Sequence, residues 1–95
     1  LKINDLILDM KGHTVKLGDN EIYLTRKEFS LLAYLMKNKG NVVSRGMIME
    51  HVWDMNADPF SNTIEAHILN LRRKVDISID RKFIHTIPGR GYKFS

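Results

Sequence analysis

Not one of the 95 residues is cysteine. That absence excludes disulfides, thiolate catalysis and cysteine-based zinc sites, and it suits a cytoplasmic protein. Proline is nearly as scarce, and both copies, Pro59 and Pro88, stand where the pattern reads as loop or turn. No apolar run approaches the roughly 18 residues of a membrane span, and nothing at the start has the order of a signal peptide. No membrane association is expected. Catalytic motifs are missing as well: there is no His-Glu-x-x-His, no Gly-x-Ser-x-Gly and no phosphate-binding P-loop. The four histidines, His13, His51, His67 and His85, fall in four different elements. No catalytic residue, metal ligand or cofactor is therefore assigned, and an enzyme is set aside.

Acidic residues are also unevenly missing. Residues 1–60 carry eight Lys or Arg against eight Asp or Glu, whereas the last 35 carry seven bases against Glu65, Asp76 and Asp80, which supplies the whole net charge of +4. A basic charge gathered in one third of a small domain is the footprint of a polyanion-binding face. With 43% hydrophobic and 27% charged residues, the chain suffices for one domain, residues 1–95, and no more. It begins at Leu1 rather than Met, so further sequence is expected upstream.

The patterning predicts an α+β order. Leu6-Ile7-Leu8, Thr14-Val15-Lys16-Leu17 and Ile22-Tyr23-Leu24, separated by turn residues, read as short antiparallel strands. From Thr25 the period becomes helical, with Thr25 and Glu28 spaced as a capping box and Asn38-Lys39-Gly40 as the stop. A second helix follows Val42-Val43, capped by Ser44, with Met47, Ile48, Val52 and Trp53 as its apolar positions. Asp54 to Phe60 reads as a loop, and a third helix runs from Ser61 or Asn62 to about Val75, with Asn62 and Glu65 as its cap pair. Phe83 to Ile87, a Pro88-Gly89-Arg90-Gly91 turn and Tyr92 to Phe94 make a terminal hairpin.

The third helix carries the chemistry. Ile64, Ile68, Leu71 and Val75 form the stripe that faces the core, while Thr63, Ala66, His67, Asn70, Arg73 and Lys74 line a polar face without an acid. Amides and guanidinium groups for base edges, one small residue for close approach and cations for phosphates are what a DNA-reading helix requires. Preceded by the second helix and a long turn, it gives a helix-turn-helix order. Arg90, between two glycines at the hairpin tip, is a slim cation suited to a minor groove. Trp53 is read as a core anchor whose indole N–H is left for a phosphate, Arg72 as a structural neighbour of Glu65, and the five methionines as core filler. The same helix order used to bind another protein is the competing class.

Leu24-Thr25, Glu28-Phe29, Leu31-Leu32, Gly40, Val42, Ser44-Arg45, Val52-Trp53, Asn62-Thr63-Ile64-Glu65, His67-Ile68, Leu71-Arg72, Ile84, Thr86, Gly89, Gly91-Tyr92 and Phe94 run in register along the chain. On these residues it resembles the winged helix-turn-helix output domain of OmpR/PhoB-type two-component response regulators. The resemblance implies a four-stranded N-terminal antiparallel sheet, three helices and a C-terminal β-hairpin wing, with sequence-specific binding of double-stranded DNA. It implies Arg45 and Trp53 as phosphate contacts, Thr63, His67, Asn70 and Arg73 toward the groove, and the wing tip in the minor groove. Asn62, Ala66, Lys74 and Arg90 complete the candidate DNA-contacting set. It implies further an upstream receiver domain with its cognate histidine kinase, tandem pairing on direct-repeat half-sites, and RNA polymerase met by the loop carrying Met55, Asn56 and Asp58. Two departures stand out: Pro88 precedes the wing glycine, its cation moved to Arg90, and Leu69-Asn70 replaces consecutive bases, so the base preference is expected to differ from that of familiar members.

Overall fold

Alternation of inward and outward side chains decides the first third of the chain. In the computed structural model, which describes residues 1–53, 63–76 and 82–95, four strands pair antiparallel in the order β1 (Lys2–Ile3), β2 (Leu6–Asp9), β3 (Thr14–Leu17) and β4 (Asn20–Ile22). Leu6 lies opposite Leu17 and Leu8 opposite Val15, so all four side chains bury on one face while Ile7 and Lys16 look outward. Asp9 closes the β2–β3 turn, its Oδ1 accepting from the backbone N–H groups of Lys11 and Gly12. β4 stops at Ile22, and Tyr23, expected within the strand, is exposed.

α1 (Arg26–Lys37) opens with the anticipated capping box: the Glu28 amide donates to Thr25 Oγ1 at 3.2 Å and the Thr25 amide donates to Glu28 Oε1 at 2.9 Å. Its end is tied across the fold, because the Gly40 amide donates to the carbonyl of Phe94. α2 (Arg45–His51) is capped by Ser44, whose Oγ accepts from the Met47 amide, and is shorter than its apolar pattern suggested. Only Ile48 is buried in α2; Met47 and, in the β2–β3 turn, Met10 are exposed, so the methionines are not uniformly core filler.

α3 (Thr63–Val75) buries Ile64, Ile68, Leu71 and Val75, and it packs on α1 and α2. A second sheet then closes the domain in the order β5 (Val42–Val43), β7 (Gly91–Phe94), β6 (Ile84–Ile87). The terminal hairpin was legible in the sequence, but β5 was not read as its third strand: Val43 pairs with Tyr92 and Val42 with Lys93. Asp76 joins α3 to the hairpin, its carboxylate accepting from the amides of Phe83 and Ile84. Phe83 and Phe94 stack beneath, with ring centroids 5.4 Å apart. Among the described residues no helix is long and apolar enough to cross a membrane.

Candidate nucleic-acid interface

At about 100° per residue, Ala66 and Arg73 project almost opposite the core stripe of α3, with Leu69 about 50° to one side and Asn70 about 50° to the other. All four are exposed. The remaining polar residues of the helix divide between its two flanks and are engaged there.

On one flank lies α1. Lys74 turns onto it and places Nζ 2.6 Å from Oε1 of Glu28, a buried carboxylate that also accepts from the Thr25 amide. The structure thus places Lys74 on the α1 flank, half-exposed and paired with Glu28, rather than on the open ridge with Ala66 and Arg73. Burial pushes the Glu28 carboxyl up, but the hydrogen bond and charge of Lys74, with Thr25, outweigh it and hold the pKa below the usual carboxylate value. His67, on the same flank, is half-buried, and its Nδ1 lies 2.7 Å from the carbonyl of Thr63. A carbonyl only accepts, so Nδ1 carries the proton and Nε2 is the ring atom left over. The ring meets Trp53 edge-on at 5.0 Å.

Trp53 is half-buried against the core, in keeping with an anchor at a helix end. Lys27 of α1 places Nζ 5.4 Å from its ring centroid and donates to the carbonyl of Val52 at 2.9 Å. Sequence reasoning missed Lys27. It stands 26 positions from Trp53, and no local pattern joins them.

The other flank faces the second sheet. Glu65 receives Arg45, whose Nε lies 3.1 Å from Oε1 and 3.3 Å from Oε2. Arg72, expected beside Glu65, is two turns or roughly 10 Å further along the axis. It instead donates to the carbonyl of Ile84 and to Thr86 Oγ1, holding β6 against α3. A cleft of 450 Å³ opens between the start of α2, Glu65 and the wing from Thr86 to Tyr92. Burial pushes the Tyr92 hydroxyl pKa up, and the charge of Glu65 adds to it.

The wing is held at its base by Gly91, at φ +141. A Cβ there would strike the carbonyl oxygen of Val43 and lie 2.8 Å from the Cα of Ser44. Only hydrogen fits between β5 and β7 at that point. The tip turns through Pro88 to Arg90, closed by the Arg90 amide donating to the Ile87 carbonyl, and the Arg90 side chain is exposed. Among the described residues no group of three or more histidines and carboxylates is placed to hold a metal ion. Asn62, with its capping role, and Met55, Asn56 and Asp58 of the Asp54 to Phe60 loop lie outside the described residues.

This geometry has close counterparts. Residues 19–94 match the family described as "Transcriptional regulatory protein, C terminal". The transcriptional activator protein IrlR of Burkholderia pseudomallei is 40% identical over 92 residues, which cover 97% of this chain and 40% of IrlR. Among solved structures, the DNA-binding domain of CpxR from E. coli superposes with a TM-score of 0.86 at 34% identity, covering 99% of this chain and 93% of that one. Response regulator DrrB, a Thermotoga maritima OmpR/PhoB homolog, superposes with a TM-score of 0.87 at 32% identity, covering 100% of this chain and 43% of DrrB. The chain thus spans about 40% of the length of the curated relatives it matches.

Proposed function

The chain belongs to the family of transcriptional regulatory protein C-terminal domains, and from that premise we propose that it binds double-stranded DNA in a sequence-specific manner as the output domain of a two-component response regulator. α3 enters the major groove and the β6–β7 wing enters the minor groove. The observation that carries this reading is the exposed ridge of Ala66, Asn70 and Arg73, free of acid and backed by a fully buried stripe, with Arg90 extended on the wing beside it. Arg45, paired with Glu65, lies on one flank of α3 and Trp53, edge-on to His67, on the other, with the cation of Lys27 beside it; in this reading they meet the phosphates.

A receiver domain upstream, answering to a histidine kinase, controls pairing of two copies head to tail on direct repeats. Met55, Asn56 and Asp58 meet RNA polymerase while the helices hold DNA. The setting is cytoplasmic, and the domain performs no catalysis. Titration against duplexes with one and two half-sites over a salt series tests the DNA reading: affinity should fall steeply with salt and rise on the double site. A flat response to salt overturns it.

A further inference from the structure

α3 carries one large apolar side chain that its packing does not use. Leu69 is 49% exposed, whereas Ile64, Ile68, Leu71 and Val75 on the same helix are at most 1% exposed. Of its charged neighbours on the helix, Glu65 at i−4 and Arg72 at i+3 are drawn sideways, to Arg45 and to the carbonyl of Ile84 and the hydroxyl of Thr86, while Arg73 at i+4 is exposed on the ridge beside it. Leu69 is left bare on the wing side of the Ala66–Arg73 ridge, as Asn70 is on the other side.

We propose that Leu69 reads the 5-methyl group of a thymine in the major groove, beside the base pair that Asn70 meets. The inference rests on the DNA-binding reading and deepens it. A leucine offers no donor or acceptor, so it recognises the one apolar feature of the major-groove edge, and among the four bases only thymine presents it. Ala66, one turn before, has no bulk to hold the helix away, and the bare side chain is continuous with the polar residues of the same ridge. Asn70 pairs with adenine through N6 and N7. Leu69 and Asn70 together therefore select adjoining A·T pairs by two different kinds of contact.

The test begins with sites selected by this protein from random duplex DNA. Each thymine is then replaced in turn by deoxyuridine, which keeps the pairing and removes only the methyl group. One thymine per half-site should lose about three- to fivefold in affinity, the effect of stripping one buried methyl. L69A should bind thymine and deoxyuridine duplexes equally while melting as the parent does, and L69M, apolar and of similar reach, should keep the discrimination. Salt-dependent binding with no deoxyuridine-sensitive position, or with one that persists in L69A, overturns the inference while leaving DNA binding intact. A flat salt response removes both. If L69A alters sedimentation of the DNA-free protein and leaves the deoxyuridine profile unchanged, Leu69 serves a second copy of the chain and the inference is overturned.

Discussion

The open ridge of α3 and its last turn differ in what their charges do, although in sequence they run together. Arg72, Arg73 and Lys74 are three consecutive cations, yet Arg72 is bound to the wing, Lys74 to Glu28 of α1, and Arg73 alone looks outward. A 100° step per residue sends neighbours in a basic run to three different surroundings. Counting charges in a helix thus overstates its DNA-facing charge. The last turn of α3 clamps the helix to α1 and the wing through Lys74 and Arg72, and the exposed ridge is the proposed reading surface.

The clamp side should show the largest effects, all on stability. Gly91→Ala forces a Cβ into the Val43 carbonyl and an unfavourable φ, and a loss of about 3 kcal/mol is expected in chemical denaturation. A fully stable variant would mean that β5 does not press on the wing. Glu28→Gln should lose about 2 to 3 kcal/mol, since it strips a buried carboxylate from Lys74. Because the folded pKa of Glu28 lies below the ordinary 4.5, its contribution is fully present above that pH and is lost as pH falls through the folded value. The parent should therefore lose more stability than Glu28→Gln between pH 6 and acid conditions.

The ridge and the tip of the wing should show smaller effects, on binding. Asn70→Ala is expected to weaken a site containing its adenine by about 2 kcal/mol and to leave other sequences nearly unchanged. Equal losses on every sequence would remove Asn70 from base reading. Arg90→Ala should weaken binding by about 1 to 2 kcal/mol and reduce preference for A·T-rich flanks, with melting unaltered. The smallest effect belongs to Arg45 and Glu65, which are exposed enough that a double-mutant cycle on stability should give below about 1 kcal/mol. A larger coupling would place that pair with the clamp.

Much of this was legible because it is local. The stripe of Ile64, Ile68, Leu71 and Val75 repeats at helical spacing, the Thr25–Glu28 box is closed within four residues, and the Gly89–Arg90–Gly91 turn announces a hairpin. What escaped reading depends on distant partners. Glu28 and Lys74 are 46 positions apart. Val42 and Val43 have no strand signature until β7 lies alongside them. Glu65 was read as a neighbour of Arg72, and only the axial spacing of α3 and the approach of α2 gave it to Arg45.

By itself, then, the sequence determined the periodic elements, their caps and turns, the buried face of α3 and the gathering of basic charge in the last third, since each follows from backbone geometry and solvent exclusion over a few residues. Only the tertiary structure decided which cations remain available. A side chain's charge is directed by whatever group packs within hydrogen-bond reach, and that neighbour is supplied by chain closure across dozens of residues.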